Sequence, residues 1–180
     1  MLKKGGNVYD VAVWVVDTRL LIREHNAIDI DGVRAWAEQA RSSSEQGRRP
    51  ILVCDSAISV GLAQMKSLLG HRLPTLSLAA MAFGQTTMGT LWESMFAESG
   101  QVCAQVLLNQ DDLKIDHRKS GIRATLRTLL DKGVVPIISE NELSALPPSP
   151  LGAVHFLAEV ISQMMNVPCI SPAQTLEGVQ

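Results

Sequence analysis

The sequence predicts an α/β fold of three layers, with helices covering both faces of a mainly parallel sheet. Three observations carry that prediction. Short runs of continuous apolar residues recur at Val11–Val16, Ile51–Cys54, Val102–Leu108 and Val134–Ile138. Between them lie longer segments with apolar residues at helical spacing. Glycines and prolines punctuate the boundaries, at Gly47, Gly70, Pro74, Gly100 and Gly133. Strands that are apolar throughout are strands buried on both faces, and parallel strands need crossover helices to supply that cover.

Each element follows from its residues. VAVWVV reads as the first buried strand. Asp29 and Asp31 then open a helix through Val33, Trp36, Ala37 and Ala40, which Gly47 closes. After the strand Ile51–Cys54, a helix runs from about Ser56 to Leu69, with Asp55 or Ser56 as its cap. Pro74 and Thr75 open a further helical stretch rich in large apolar groups, among them Phe83, Met88, Trp92, Met95 and Phe96. Core packing accounts for most of these, and a partner interface for the remainder. Val102–Leu108 is the third strand. Asp116 caps a helix that reaches Lys132, with Ile122, Leu126, Leu129 and Leu130 on one face. Val134–Ile138 is the fourth strand. The segment PPSP at Pro147–Pro150 is a rigid connection before a last helix over 151–165. Residues 1–165 are read as one domain, and 166–180 as a tail with little regular signal.

Composition narrows the function classes. A chain of 180 residues with 46% apolar residues and a net charge of −2 is an ordinary globular protein. It has no basic excess to serve nucleic acid. No apolar run approaches the roughly 20 residues of a membrane span, and MLKKGGNVYD is not a secretory signal. Cys54, Cys103 and Cys169 fit neither a zinc site nor a redox pair, and are read as reduced, largely buried thiols of a cytoplasmic protein. The four histidines are scattered and no metal site is expected. Ser–His–Asp, Walker and Rossmann patterns are all missing from the sequence.

In parallel α/β sheets, ligands bind at the carboxyl ends of the strands. Here those ends carry Asp17 and Thr18, then Asp55, Ser56 and Ala57, then Asn109 to Asp112, and finally Ser139, Glu140, Asn141 and Glu142. The set is acidic. Its simplest explanation is helix capping and solvated loops, but all of it should fall along one edge of one sheet.

The stretch QVLLNQDDLKIDHRKSGIRATLRTLLDKGVVPIISENE, from Gln105 to Glu142, resembles the glutamate 5-kinase branch of the amino acid kinase family. ILVCDSAISVGLAQM resembles the family's second strand and its Ser-Gly-Ala-Ile loop. MAFGQTTMGTLWESMFAESG, including Gly84-Gln85, resembles the helix that follows, and GVVPIISENE resembles the strand and turn that hold the substrate amino acid. The resemblance implies an amino acid kinase-like (carbamate kinase-like) fold lacking the nucleotide-binding half. It implies a substrate site at Asp55, Ser56, Ala57, Glu140, Asn141 and Glu142. It also implies a phosphate-loop remnant at Trp14, Val16, Asp17 and Thr18. Trp14 stands where the family has a lysine, and Val16 where it has a loop glycine. Asp55-Ser56 replaces Ser-Gly, Ser139 replaces an asparagine and Glu142 an aspartate, while PSPLGA lies where a Gly-Asp-Asn-Asp motif is expected.

These departures bear on catalysis. Phosphoryl transfer depends on positioning and on neutralising charge, and losing one donor costs roughly 3–4 kcal/mol in the barrier. A carboxylate about 4 Å from a phosphate charge adds repulsion of roughly 4 kcal/mol at an effective dielectric near 20. The expectation is a kinase-like domain without kinase activity of its own and without a catalytic residue or cofactor. It would serve as an amino-acid-binding or assembly module, as a homo-oligomer or with a protein partner, and L-glutamate is the first ligand to consider. The alternative is a phosphotransferase making glutamyl 5-phosphate from ATP and L-glutamate for proline biosynthesis. It would be active only with a partner or within a longer protein, and Mg²⁺ would be held by Asp17, Asp55 and Glu142.

Overall fold

A computed structural model describes residues 2–4, 7–16, 28–54, 57–69, 77–141 and 153–170. In chain order the elements are β1 (Leu2–Lys4), β2 (Asn7–Val16), α1 (Ile30–Glu45), β3 (Arg48–Cys54), α2 (Ala57–Leu69), α3 (Ser77–Glu98), β4 (Val102–Leu108), a 3₁₀ turn (Gln110–Leu113), α4 (Asp116–Asp131), β5 (Val134–Glu140), α5 (Ala153–Met165) and β6 (Cys169–Ile170). Strand order across the sheet is β1-β2-β3-β5-β4, and β6 also pairs with β2. All pairings are parallel except the β1–β2 hairpin.

Alternation sends successive side chains to opposite faces of the sheet. Trp14 and Val16 of β2, Leu52 and Cys54 of β3, and Val135 and Ile137 of β5 face α1, α2 and α3. Val11, Val13, Val15, Ile51, Val53 and Ile138 face α4 and α5. The first core is aromatic: Trp14 and Trp36 lie 6.2 Å apart at 51°, and Trp92 and Phe96 lie 6.1 Å apart. Such pairs add about 0.5–1.5 kcal/mol beyond their burial. The second core is aliphatic and sulfur-containing.

The placement of helices follows from chain direction. The steps β2→β3 and β3→β4 run one way across the sheet, with α1, α2 and α3 on one face. The steps β4→β5 and β5→β6 run back, with α4 and α5 on the other. Right-handed crossovers require this exchange of faces when direction reverses. It leaves β3 and β5 as neighbours whose following helices lie on opposite faces, which is a topological switch point.

The α2–α3 pair packs backbone against backbone. A Cβ built on Gly61 would lie 1.6 Å from the Ala80 carbonyl oxygen, and one on Gly84 would lie 1.8 Å from that of Ala57. Only glycine allows this approach. At the end of α4, Gly133 adopts φ +76°, the left-handed turn that starts β5.

Several expectations need correction. The first strand begins at Asn7 and is preceded by β1, because the polar residues NVYD lie beyond the reach of an apolar-run criterion. β3 starts at Arg48 and β5 continues to Glu140. The region expected to lack regular structure after 165 contributes β6, whose Cys169 and Ile170 pair with Val13 and Trp14. β4 is not fully buried: among the described strands it is the sheet's edge, with Val102 64% and Leu107 42% exposed. Met88, Trp92, Met95 and Phe96 are core, whereas Phe83 is exposed. Asp116 is the first residue of α4, whose cap position is Ile115 without a side-chain bond. The Asp29 side chain does cap α1, accepting from the Gly32 N–H at 3.2 Å. Cys54 is buried, but Cys103 is only half-buried and Cys169 is exposed. The proposed cap at Asp55 or Ser56 and the PPSP connection lie outside the described residues.

Candidate functional site

The carboxyl ends of β3 and β5 meet at the switch point. Cys54 ends β3, and its Sγ lies 3.3 Å from the Ser139 Oγ of β5. Both side chains are buried, and Ser139 is the buried polar residue among those described. Ala57 opens α2 just beyond β3 and is buried. Glu140 ends β5 and Asn141 follows it, both half-buried. The Asn141 N–H donates to the Leu108 carbonyl at 2.8 Å, which extends the β4–β5 pairing one bond past Glu140.

Helix α3 joins these two segments through consecutive residues. Gly84 backs onto the Ala57 carbonyl. The Gln85 Nε2 donates to the Glu140 carbonyl at 3.5 Å, and its Oε1 accepts from the Gln105 Nε2 at 3.0 Å. Below this chain lies a cavity of about 490 Å³ between α3 and β4, with Gln85, Trp92, Glu93, Cys103, Gln105 and Ile137 in its wall.

At the end of β4 the chain turns sharply. The Asn109 N–H donates to Asp112 at 2.9 Å, and Asp112 pairs with Arg118 at 3.0 Å. Asp111 and Lys114 form a further exposed pair at 3.3 Å. These carboxylates shape the 3₁₀ turn and are engaged with cations of their own segment.

Of the site residues expected from sequence, Ala57 opens α2 after β3, and Glu140 and Asn141 stand at the end of the neighbouring β5, with α3 touching both segments. Trp14 and Val16 lie in the carboxyl-terminal half of β2 and are buried, with Trp14 in contact with Trp36. Asp17, Thr18, Asp55, Ser56 and Glu142 lie outside the described residues, as does every carboxylate proposed for Mg²⁺. Among the described residues no group of three or more His, Cys, Asp or Glu could hold a metal ion. None of the described helices is long and apolar enough to cross a membrane. The Cys54–Ser139 contact and the bridging role of Gln85 were missed by sequence reasoning. A signal for the second existed, since Gly84-Gln85 already stood out within its helix.

Two of the thiols, Cys103 and Cys169, are not poised as nucleophiles. Burial, with Glu93 nearby, pushes the Cys103 thiol up to about 11. Burial, with Glu159 nearby, also raises that of Cys169. Both are protonated at neutral pH.

The amino acid kinase family model matches residues 17–167. That span covers most of the chain and decides its family. This chain belongs to the amino acid kinase family. It is 33% identical over 155 residues to a glutamate 5-kinase of Pseudomonas putida (strain GB-1), covering 85% of this chain and 42% of that protein. It is 34% identical over 159 residues to a glutamate 5-kinase of Pseudomonas savastanoi pv. phaseolicola, with the same coverage. The chain thus spans 42% of the length of these relatives. Among solved structures it resembles two of the carbamate kinase of Giardia. One gives a TM-score of 0.58 over 89% of this chain and 72% of the other. The second, from Giardia lamblia and bound to AMP-PNP, gives 0.60 over 89% and 69%. Both are 10% identical, so they speak to the fold, and the fold is the three-layer α/β amino acid kinase fold.

Proposed function

We propose that this amino acid kinase domain holds a free amino acid at the turn after β5 and transfers no phosphoryl group by itself. The observation that carries this reading is Trp14. It stands where the family resemblance implies a lysine, is 6% exposed, and packs against Trp36. A buried indole cannot neutralise a phosphate, and the neighbouring Val16 has a β-branched side chain where a phosphate loop needs bare backbone. The β5 turn, by contrast, keeps polar chemistry. The Glu140 carboxylate suits an ammonium group, Asn141 offers both a donor and an acceptor, and the start of α2 near Ala57 offers N–H groups to an α-carboxylate. L-Glutamate is the first ligand to test, given the relatives.

The same reading includes assembly. The edge strand VCAQVLL carries no charge and exposes Val102 and Leu107, so it has none of the charged residues that usually guard an open sheet edge. A second copy or another protein covers it in this proposal.

A thermal-shift series with L-glutamate, other amino acids, and ATP with Mg²⁺ tests the reading. Ligand at a hundredfold its dissociation constant adds about 2.7 kcal/mol, or roughly 5–10 °C for a domain of this size. A shift with L-glutamate and none with ATP is the expected result. A shift with ATP and formation of glutamyl phosphate would overturn it in favour of a phosphotransferase. No shift with any compound would remove the amino-acid site, and light scattering would then judge the assembly part alone.

A further inference from the structure

We propose that Gln85 of α3 is a positioning residue that sets the β5 turn for its ligand, with Gln105 of the edge strand as its brace. This rests on the reading of that turn as the amino-acid site. The β3–β5 ladder pairs Leu52 with Ile137 and Val53 with Ile138, two residues short of Glu140. Beyond that point, Gln85 reaches across from α3 to the Glu140 carbonyl at 3.5 Å. Its donor is aimed there because its acceptor is occupied: Gln105 donates to Oε1 at 3.0 Å, which fixes the orientation of the amide. On the other side of the same turn, the Asn141 N–H is bound to the Leu108 carbonyl at 2.8 Å.

The end of β5, at Glu140 and Asn141, is therefore held from two directions. One hold is a backbone bond within the sheet, and the other is a side chain from the helix layer. Helix α3 can supply the second only because Gly84 lets it settle onto the Ala57 carbonyl. Consecutive residues of one helix thus fix the start of α2 and the end of β5 relative to each other. Those are the two places that must meet an amino acid's carboxylate and ammonium groups. A ligand site needs its groups held to about half an ångström, and a helix delivers that better than a loop does.

The test uses Gln85→Glu and Gln105→Ala. The first keeps size and the acceptor for Gln105 but removes the donor to Glu140. The second leaves the donor but removes its brace. Two readouts are taken: L-glutamate affinity by calorimetry, and amide hydrogen exchange at Glu140 and Asn141 by NMR without ligand. For Gln85→Glu, the expected results are an affinity lower by about three- to tenfold, the worth of one hydrogen bond, and faster exchange at Asn141. The melting temperature should stay within about 2 °C of the parent, as for a surface change. Gln105→Ala should show the same pattern at smaller size. If the parent chain binds L-glutamate and Gln85→Glu binds it equally well, the inference is overturned. If the parent does not bind, the amino-acid reading fails instead, and the exchange data judge the clamp: unchanged exchange at Asn141 overturns it, and faster exchange upholds it.

Discussion

The carboxyl ends of β2 and β5 lie in the same sheet, two strands apart, and have opposite characters. At β2, Trp14 and Val16 are buried in the core and Trp14 packs at a tilt against Trp36 of α1. At β5, Glu140 and Asn141 are half-buried and held by hydrogen bonds from α3 and to β4. One end is packed into the core, and the other carries polar groups at the strand end where α/β sheets generally bind ligands. On the proposed reading, stability and ligand contact fall on different residues, Trp14 for the first and Asn141 for the second.

The comparison is broken most severely at Trp14. Trp14→Ala removes a buried indole and its Trp36 contact, and should cost about 3–5 kcal/mol, as large-to-small core changes do. For a chain of this length that lowers the melting temperature by about 6–20 °C. Trp14→Lys should be at least as damaging, because the ammonium would be placed among Leu52, Trp36 and Phe96 without a partner. It should not restore an ATP-dependent thermal shift. If Trp14→Lys folds normally and gains such a shift, the β2 end is not a packing site.

The next effect is at the helix contact that serves the β5 end. Gly84→Ala drives a Cβ into the Ala57 carbonyl, which is backbone and cannot swing away. Overpacking of this kind costs typically 1–3 kcal/mol, here at the upper end, with a fall of about 6–12 °C. Gly89→Ala is the control on the same helix. Its Cβ would meet only the Gln105 side-chain oxygen at 3.1 Å, so its cost should stay below about 1 kcal/mol. Urea unfolding of the two variants side by side decides this. Equal losses would mean that α2 and α3 are not locked through Gly84.

Much of this frame was legible in the sequence, for physical reasons that also explain what was not. Central strands such as Ile51–Cys54 announce themselves because burial on both faces demands unbroken apolar runs. The edge strand β4 has a similar composition, and nothing in VCAQVLL says that its outer side is open. Edge or centre is decided by where β5 inserts, which is a property of topology and not of β4 itself. β6 was hidden for a related reason: two residues carry no periodicity, and Cys169–Ile170 becomes a strand only because β2 offers a free side. The position of Glu140 and Asn141 at a strand end was visible from their place after an apolar run. Cys54 and Ser139, 85 residues apart, meet only when β3 and β5 are neighbours, and Gln85 reaches Glu140 only through the glycine contacts of α2 and α3. Such pairings are long-range facts that local patterns do not encode.

At the β5 end itself, Glu140→Gln should leave stability within about 1 kcal/mol but weaken L-glutamate binding about tenfold or more, the cost of losing a charge-assisted hydrogen bond of about 1.5–3 kcal/mol. Calorimetry measures it. Equal affinity in the variant would move the ammonium group away from Glu140 and leave the polar character of this end without a ligand to explain it.

The smallest effect concerns the thiols, and it sharpens the contrast between packed and open parts of the sheet. Cys103 stays protonated in the folded state until about pH 11, against 9.0 for an unperturbed thiol. An unfolded chain loses that proton first, so between pH 9 and 11 it binds fewer protons than the folded chain. Stability from this group is therefore complete below pH 9 and is lost as pH rises toward 11. The group is partly open to solvent, so the loss should be under about 1 kcal/mol. It should vanish in Cys103→Ala, as measured by urea unfolding at pH 8 and pH 10.5. In alkylation of the folded chain at pH 8, exposed Cys169 should react first, half-buried Cys103 more slowly, and Cys54 only on unfolding. Fast labelling of Cys54 in the native state would mean that its buried contact with Ser139 opens to solvent, and that the β3 end is less firmly packed than the β2 end beside it.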